Sequence, residues 1–255
     1  VDIFFTISGY LITSIILREL ETTGKFSFLN FYKRRARRIL PVLFLVMLVS
    51  YPFAYNYLLP NFFIDYSKSI ISSLGFSSNF YFWNLGIGYN ELQNVRFQPF
   101  LHTWSLSVEE QFYFIFPICL IICFKYFKRY LTFLIITGII ASLIIADWGS
   151  RNHASINFYI LPTRGWELLA GAFLAKFEIK YGRNNYKILD QTLPILGLFL
   201  IGYTFVFYND QMFLPSFYTI PSIIGVCLII WFSQKNEAVT KIFSNKFLVG
   251  IGLIS

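Results

Sequence analysis

Along this chain of 255 residues the apolar positions come in long unbroken blocks. Uncharged stretches run over 39–61, 130–146, 191–209 and 211–234, and a shorter one, QFYFIFPICLIICF, covers 111–124. A helix needs roughly 17–25 mostly apolar residues to cross a bilayer, and several of these blocks reach that length unaided. Membrane strands would instead show ~10-residue alternating segments, and none occur. The pattern predicts an all-α fold, a polytopic transmembrane helical bundle with 1–255 as one domain. The chain opens inside one apolar segment, VDIFFTISGYLI, and stops inside another, FLVGIGLIS, so it reads as partial at both ends.

The polar positions orient the blocks. Lysines and arginines gather at 18–38, 125–129, 176–187 and 235–246, and these clusters hold 17 of the 21 basic residues. Cytoplasmic loops carry the excess of Lys and Arg, so the four clusters are assigned to the inner side. Residues 1–18 then run inward, 39–59 outward, 105–124 inward, 130–147 outward, 158–176 inward, 192–208 outward and 214–233 inward, with a truncated span from 247. That makes about seven full spans. The stretch 60–104 must cross an even number of times or not at all. It mixes Ser, Asn and Gly with aromatics, and irregular backbone is tolerated at membrane depth only when buried or lining a cavity. Residues 64–85 are therefore expected to form a re-entrant or interfacial segment, with Asn61 and Asn94 on the outer side.

Composition agrees with a bilayer environment. The chain is 56% hydrophobic and only 13% charged, with a mean hydropathy of +0.59, where soluble domains carry about 25% charged residues. The net charge of +8 mostly reflects the inner clusters rather than nucleic-acid binding. Three cysteines supply no disulfide framework, and Cys119 and Cys123 lie among apolar residues with no His or acid beside them. They read as packing thiols, and no metal site is expected. No P-loop, dinucleotide fingerprint or zinc-protease motif is present.

Three stretches carry candidate chemistry. In HTWSLSVEEQFYFIFP, residues 102–117, Glu109 and Glu110 stand at the head of a membrane helix with His102 and Trp104 nearby. Ser107 and Glu110 have capping-box spacing, which would explain one acid and leave the other facing an internal cavity. Ionisable residues at membrane depth are functional candidates. In ILPTRGWELLAGAFLA, residues 160–175, Arg164 and Glu167 share a helix face and can neutralise each other, and Gly171, Ala172 and Ala175 suit close helix packing. In FYKRRARRILP, Arg35 and Arg38 are three apart and project together from a helix start. Paired guanidiniums bind phosphates through a fork that lysine lacks.

Together VDIFFTISGYLIT, FYKRRARRILP, HTWSLSVEEQFY and LPTRGWELLAGAFLA resemble, in order and spacing, the acyltransferase-3 family of integral membrane O-acyltransferases. The resemblance covers nearly the whole chain. It implies transfer of an acyl group, usually acetyl from cytoplasmic acetyl-CoA, to a hydroxyl of an extracytoplasmic glycan such as lipopolysaccharide or exported polysaccharide. Acetyl-CoA or another acyl-CoA would be a donor substrate rather than a resident cofactor, and the setting a bacterial inner membrane. Many members carry an SGNH-type domain after the membrane part. Arg35 and Arg38 match the family's acyl-CoA-associated Arg-x-x-Arg motif, Asp2, Ser8 and Gly9 its VDxFFxxSG motif, and Glu109, Glu110 and Gln111 its EEQF run. The catalytic group is read as Glu109, Glu110 and His102, with Asp2, Ser8, Gly9, Trp104, Gln111, Arg164 and Glu167 shaping the cavity. The family's catalytic histidine lies on a first helix outside this chain, so the fragment alone is expected to be inactive. The rival reading is a transporter or flippase using Arg164, Glu167 and the double Glu as a substrate or proton path. No inverted repeat supports it.

Overall fold

The protein is described here from a computed structural model covering residues 1–86, 98–183, 187–209, 212, 214–233 and 238–254. The sequence expectations at Asn94 and Lys235 lie outside the described residues. Among the described residues every regular element is helical. Helix α1 spans Asp2–Thr23 and stops at Gly24, whose φ of 69° lets its N–H reach the Leu20 carbonyl, a left-handed termination suited to glycine. Helix α2, Phe28–Tyr57, begins at Ser27, whose hydroxyl accepts from the Asn30 N–H. That cap starts the helix seven residues ahead of Arg35, so Arg35 and Arg38 sit about two and three turns into α2 rather than at its start.

Next come α3, Pro60–Leu74, and α4, Ser78–Asn84, broken at 75–77. Neither is long enough to cross a bilayer, in keeping with a segment that makes no full crossing. Helix α5 covers Thr103–Tyr126, α6 Leu131–Asn152, the short α7 Ala154–Tyr159 and α8 Leu161–Tyr181. Helices α9, Lys187–Phe207, and α10, Ile220–Phe232, form a hairpin, followed by α11, Ala238–Phe243, and α12, Lys246–Ile254. Each of the seven expected spans contains a helix, but not all of these helices are of spanning length and apolarity. Five of them, α1, α2, α5, α6 and α9, are long and apolar enough to cross a membrane. At 21 residues, α8 is about 31 Å long but carries charge, and α10 is an apolar helix of 13 residues.

Glycine sets the central contact. A Cβ on Gly9 would lie 1.8 Å from the Leu168 carbonyl oxygen, and one on Gly171 1.9 Å from that of Thr6. Only bare backbone allows α1 and α8 to approach so closely, and Ala172 and Ala175 are fully buried beside the crossing. The two helices run parallel. Asp2 pairs with Arg164 at one end, and Arg18 with Glu178 and Glu21 with Lys176 at the other. Helix α6 runs antiparallel to α8, pinned where the Ser142 hydroxyl donates to the Pro162 carbonyl (2.6 Å) and accepts from the Trp166 N–H (2.9 Å). The α9–α10 hairpin crosses at Gly197 and Gly225. The α1–α8 and α6–α8 directions match those read from the basic clusters, and Arg18 and Lys176 meet their partners at the same end of the α1–α8 pair. The outward sides of the helices present large apolar side chains, such as Leu45 (60% exposed) and Leu48 (73%) midway along α2. So much exposed apolar surface suits contact with lipid.

Candidate functional site

The site is built where α1, α2 and α5 meet, and a proline fixes its register. Pro117 inside α5 has no N–H to offer the Tyr113 carbonyl four residues back. The Tyr32 hydroxyl of α2 donates to that carbonyl instead, at 3.2 Å. One turn further along α2, the Arg35 guanidinium lies 5.0 Å from the Tyr113 ring centre and 5.9 Å from that of Phe31. Aromatic faces hold a cation in this way. Arg35 makes no ion pair among the described residues, which leaves its fork free for an anion.

The Tyr113 hydroxyl bonds to two partners, Ser8 of α1 and, at 3.2 Å, Glu109 Oε2 one turn back on α5. Glu109 is 8% exposed, and among the described residues its Oε1 has no hydrogen-bond partner; Glu110 Oε1 is likewise buried and unpartnered there. The two acids diverge as adjacent helical residues must. Glu109 points inward to Ser8 and Tyr113, while Glu110 lines a cavity of about 460 Å³ between α2, the 75–77 break and α5. Tyr32, Arg35, Phe76 and Gln111 share its wall. Gln111 holds the far side in place by donating to the Phe76 carbonyl (3.0 Å) and to Asn79 Oδ1 (2.9 Å). Phe76 has φ of +49°, costly for a bulky side chain, and the Gln111 bond helps hold that turn.

The capping-box expectation for Ser107 and Glu110 does not hold. The helix starts at Thr103 with no side-chain cap at His102. The N–H groups of Leu101, Thr103 and Trp104 are satisfied by the carbonyls of Gln98, Phe100 and Leu101 in the preceding turn, so no serine is needed there. Ser107 sits in the second turn and joins a chain of buried hydroxyls instead. It bonds Ser78 at 2.7 Å, Ser78 meets Thr103 at 3.0 Å, and Thr103 meets Ser73 at 2.7 Å. Both carboxylates are thereby released from capping.

A second charged group lies further toward the end remote from the basic clusters. Arg164, 2% exposed, donates to Asp2 Oδ1 (3.0 Å), Glu167 Oε1 (3.1 Å) and the Phe158 carbonyl (3.2 Å). Its guanidinium also lies over the rings of Phe158 and Trp104, at 4.8 and 5.5 Å. Trp104 is buried against Phe5 and Tyr159 as well. Glu167 is fully buried with Oε2 unpartnered. This group has one cation for two carboxylates. It locks α1 to α8 and supports the first group through their shared helix, on which Gly9 provides the close crossing.

The structure thus brings together Ser8, Arg35, Glu109, Glu110 and Gln111, and separately Asp2, Trp104, Arg164 and Glu167. His102 is exposed and stacks on Phe100, outside both groups. Arg38 is exposed one turn beyond Arg35 on the same face of α2. Tyr113, Tyr32 and Asn79 were not singled out in the sequence; the proline four residues after Tyr113 was the available signal for the first two. Among the described residues no cluster of His, Cys, Asp and Glu could hold a metal.

With this geometry in hand, comparison with known proteins is informative. A family model described as an acyltransferase domain matches residues 1–251. A Haemophilus influenzae protein named only as uncharacterized is 36% identical over 245 residues, covering 92% of this chain and 99% of its own length. The O-acetyltransferase OatA of Staphylococcus aureus is 30% identical over 272 residues, covering 99% of this chain and 43% of its own length. The chain therefore spans less than half of that relative. No solved structure matches.

Proposed function

The chain belongs to the acyltransferase-3 family, whose acyltransferase domain it matches over residues 1–251, and from that membership we propose that it transfers an acetyl group from cytoplasmic acetyl-CoA to a hydroxyl of a cell-surface glycan. The observation that carries the reading is the cavity beside Arg35 and Glu110. One wall offers an unpaired guanidinium on the side of the basic clusters, and the other an unpartnered carboxylate oxygen. With the basic end facing the cytoplasm, Arg35 and Arg38 hold the donor's phosphates. The pantetheine arm then runs into the cavity along its apolar wall of Ile39, Leu40, Phe114 and Ile115.

In the transfer itself, the acceptor oxygen forms a bond to the acyl carbon as the carbon–sulfur bond breaks. The hydroxyl proton passes to Glu110, the carboxylate that faces the cavity, and ends on the departing sulfur, as general acid–base catalysis requires. Glu109, tied through Tyr113 to Ser8, fixes the position of α5 against α1. The test is made in the full-length membrane protein. Arg35→Lys and Arg38→Lys keep the anchoring charge and lose the fork. Acetyl transfer and donor binding should fall at least tenfold in both while membrane insertion is unchanged. Wild-type donor affinity in both variants would overturn the reading.

A further inference from the structure

The far end of the bundle holds a groove of about 590 Å³ that the donor site does not use. It lies between the end of α6, the short helix α7 and the start of α8, with α4 at its side. Its lining includes Trp83, Trp148, His153, Ser155, Asn157 and Thr163. Small-molecule sites are commonly about 300–1,000 Å³, so the groove is of usable size. Tryptophans also gather at membrane interfaces without any ligand, and that alone would account for Trp83 and Trp148.

Asn157 is what an interfacial belt leaves unexplained. It is 1% exposed, and its amide donates to the Pro215 carbonyl at 3.1 Å. Its Oδ1 is buried without a partner, wedged against Gly149, where a Cβ would come within 2.4 Å of it. A buried acceptor of this kind is costly when left unmade, and Asn157 is one of the residues that line the groove. His153 adds a ring 5.6 Å from Trp148, and Ser155 is exposed beside it.

We propose that this groove is the acceptor subsite and that it takes a pyranose ring of the glycan. A sugar ring presents C–H groups on its faces and hydroxyls around its rim. Indole faces carry negative charge density and attract the C–H side, while hydroxyl donors meet Asn157 Oδ1 and the His153 and Ser155 side chains. Position supports the assignment. The Thr163 hydroxyl donates to the Asn157 carbonyl at 2.6 Å, and Thr163 adjoins Arg164 of the outer charged group. On the other side, Asn79 donates to the Tyr159 carbonyl at 3.1 Å and accepts from Gln111 at 2.9 Å, and Gln111 adjoins Glu110. Helix α7 therefore joins the groove to the wall of the transfer cavity. The proposal rests on the acyl-transfer reading above.

The test uses the full-length protein in detergent with a hexosamine disaccharide as probe and sorbitol, an acyclic polyol, as control. Trp148 is 59% exposed, so Trp148→Leu should fold normally. The disaccharide should bind saturably to the wild type and sorbitol should not. Trp148→Leu should weaken disaccharide binding and raise the acceptor KM about tenfold with the donor KM unchanged, and Trp148→Phe should recover most of the loss. Equal binding of disaccharide and sorbitol, or an acceptor KM within twofold of wild type in Trp148→Leu, overturns the groove. Ring-selective, Trp148-dependent binding without acyl transfer would uphold the groove and sink the acyl-transfer reading instead.

Discussion

Adding one methyl at the α1–α8 crossing should unfold the site from within. The Cβ of Gly9→Ala would sit 1.8 Å from the Leu168 oxygen, and that of Gly171→Ala 1.9 Å from the Thr6 oxygen and 2.6 Å from the Tyr10 nitrogen. A relaxed carbon–oxygen contact is about 3.3 Å, so the backbones must part by roughly 1.5 Å. The obstructing atoms are main chain, which cannot rotate away. Overpacking of this kind costs about 1–3 kcal/mol, occasionally more, equivalent to a Tm loss of about 2–12 °C at this size. The same displacement pulls Asp2 from Arg164, a 3.0 Å contact, and Ser8 from Tyr113. A 1 Å misplacement can cost about 100-fold in rate, so acyl transfer should fall at least that far. Gly202 has nothing within 4 Å of its would-be Cβ, and Gly202→Ala should be neutral or stabilising by up to ~1 kcal/mol. Thermal melts in detergent and a transfer assay on the three variants decide the matter. Gly9→Ala and Gly171→Ala that melt and turn over like Gly202→Ala would refute the close-approach argument.

Two further substitutions probe the charges. In the outer group, Arg164→Met strands Asp2 and the fully buried Glu167 and should cost about 3–5 kcal/mol; Glu167→Gln leaves an Arg164–Asp2 pair and should be neutral or stabilising, and melts showing the reverse order would refute the imbalance. In the inner group, Glu110→Gln should abolish transfer with normal protein level and donor binding, while Glu109→Gln, whose amide oxygen can still accept from Tyr113, should keep at least a tenth of wild-type turnover; equal mild effects would mean that neither acid takes part in the reaction.

The sequence was most legible where physics is one-dimensional. Long apolar blocks specified the helices, and the Lys and Arg clusters gave directions that the parallel α1–α8 pairing and the antiparallel α6–α8 pairing reproduce. The Arg164–Glu167 pair followed from spacing alone, and its burial is what spacing could not give. Asp2 joining it from 162 residues away is a tertiary fact with no local signal. The capping box failed for a specific reason. Ser-x-x-Glu marks a helix start only if the helix begins there, and the turn at 98–102 moved the N-cap position five residues upstream, from Ser107 to His102, by supplying backbone acceptors. A proline effect was legible in principle, since Pro117 must free the Tyr113 carbonyl. Which side chain fills that gap depends on how α2 lies against α5.

The adjacent acids of α5 make sense once their helix is seen to have two neighbours rather than one. A single carboxylate could face α1 or the cavity, but the ~100° turn between successive helical residues lets a pair face both. Glu109 uses its direction to meet Tyr113 and, through it, Ser8 on α1. Glu110 uses the other to face the space beside Arg35 on α2. Tyr113 completes the arrangement, because its hydroxyl serves α1, its ring supports Arg35, and its carbonyl is held by Tyr32. An apolar residue at any of these positions would pack comfortably in a bilayer. Two carboxylates are instead placed on one turn of α5, opposite the Arg35 guanidinium of α2, a costly arrangement at membrane depth beside a cavity with room for a ligand. That placement is the physical argument behind the proposal that Glu110, on this turn, faces the reacting groups.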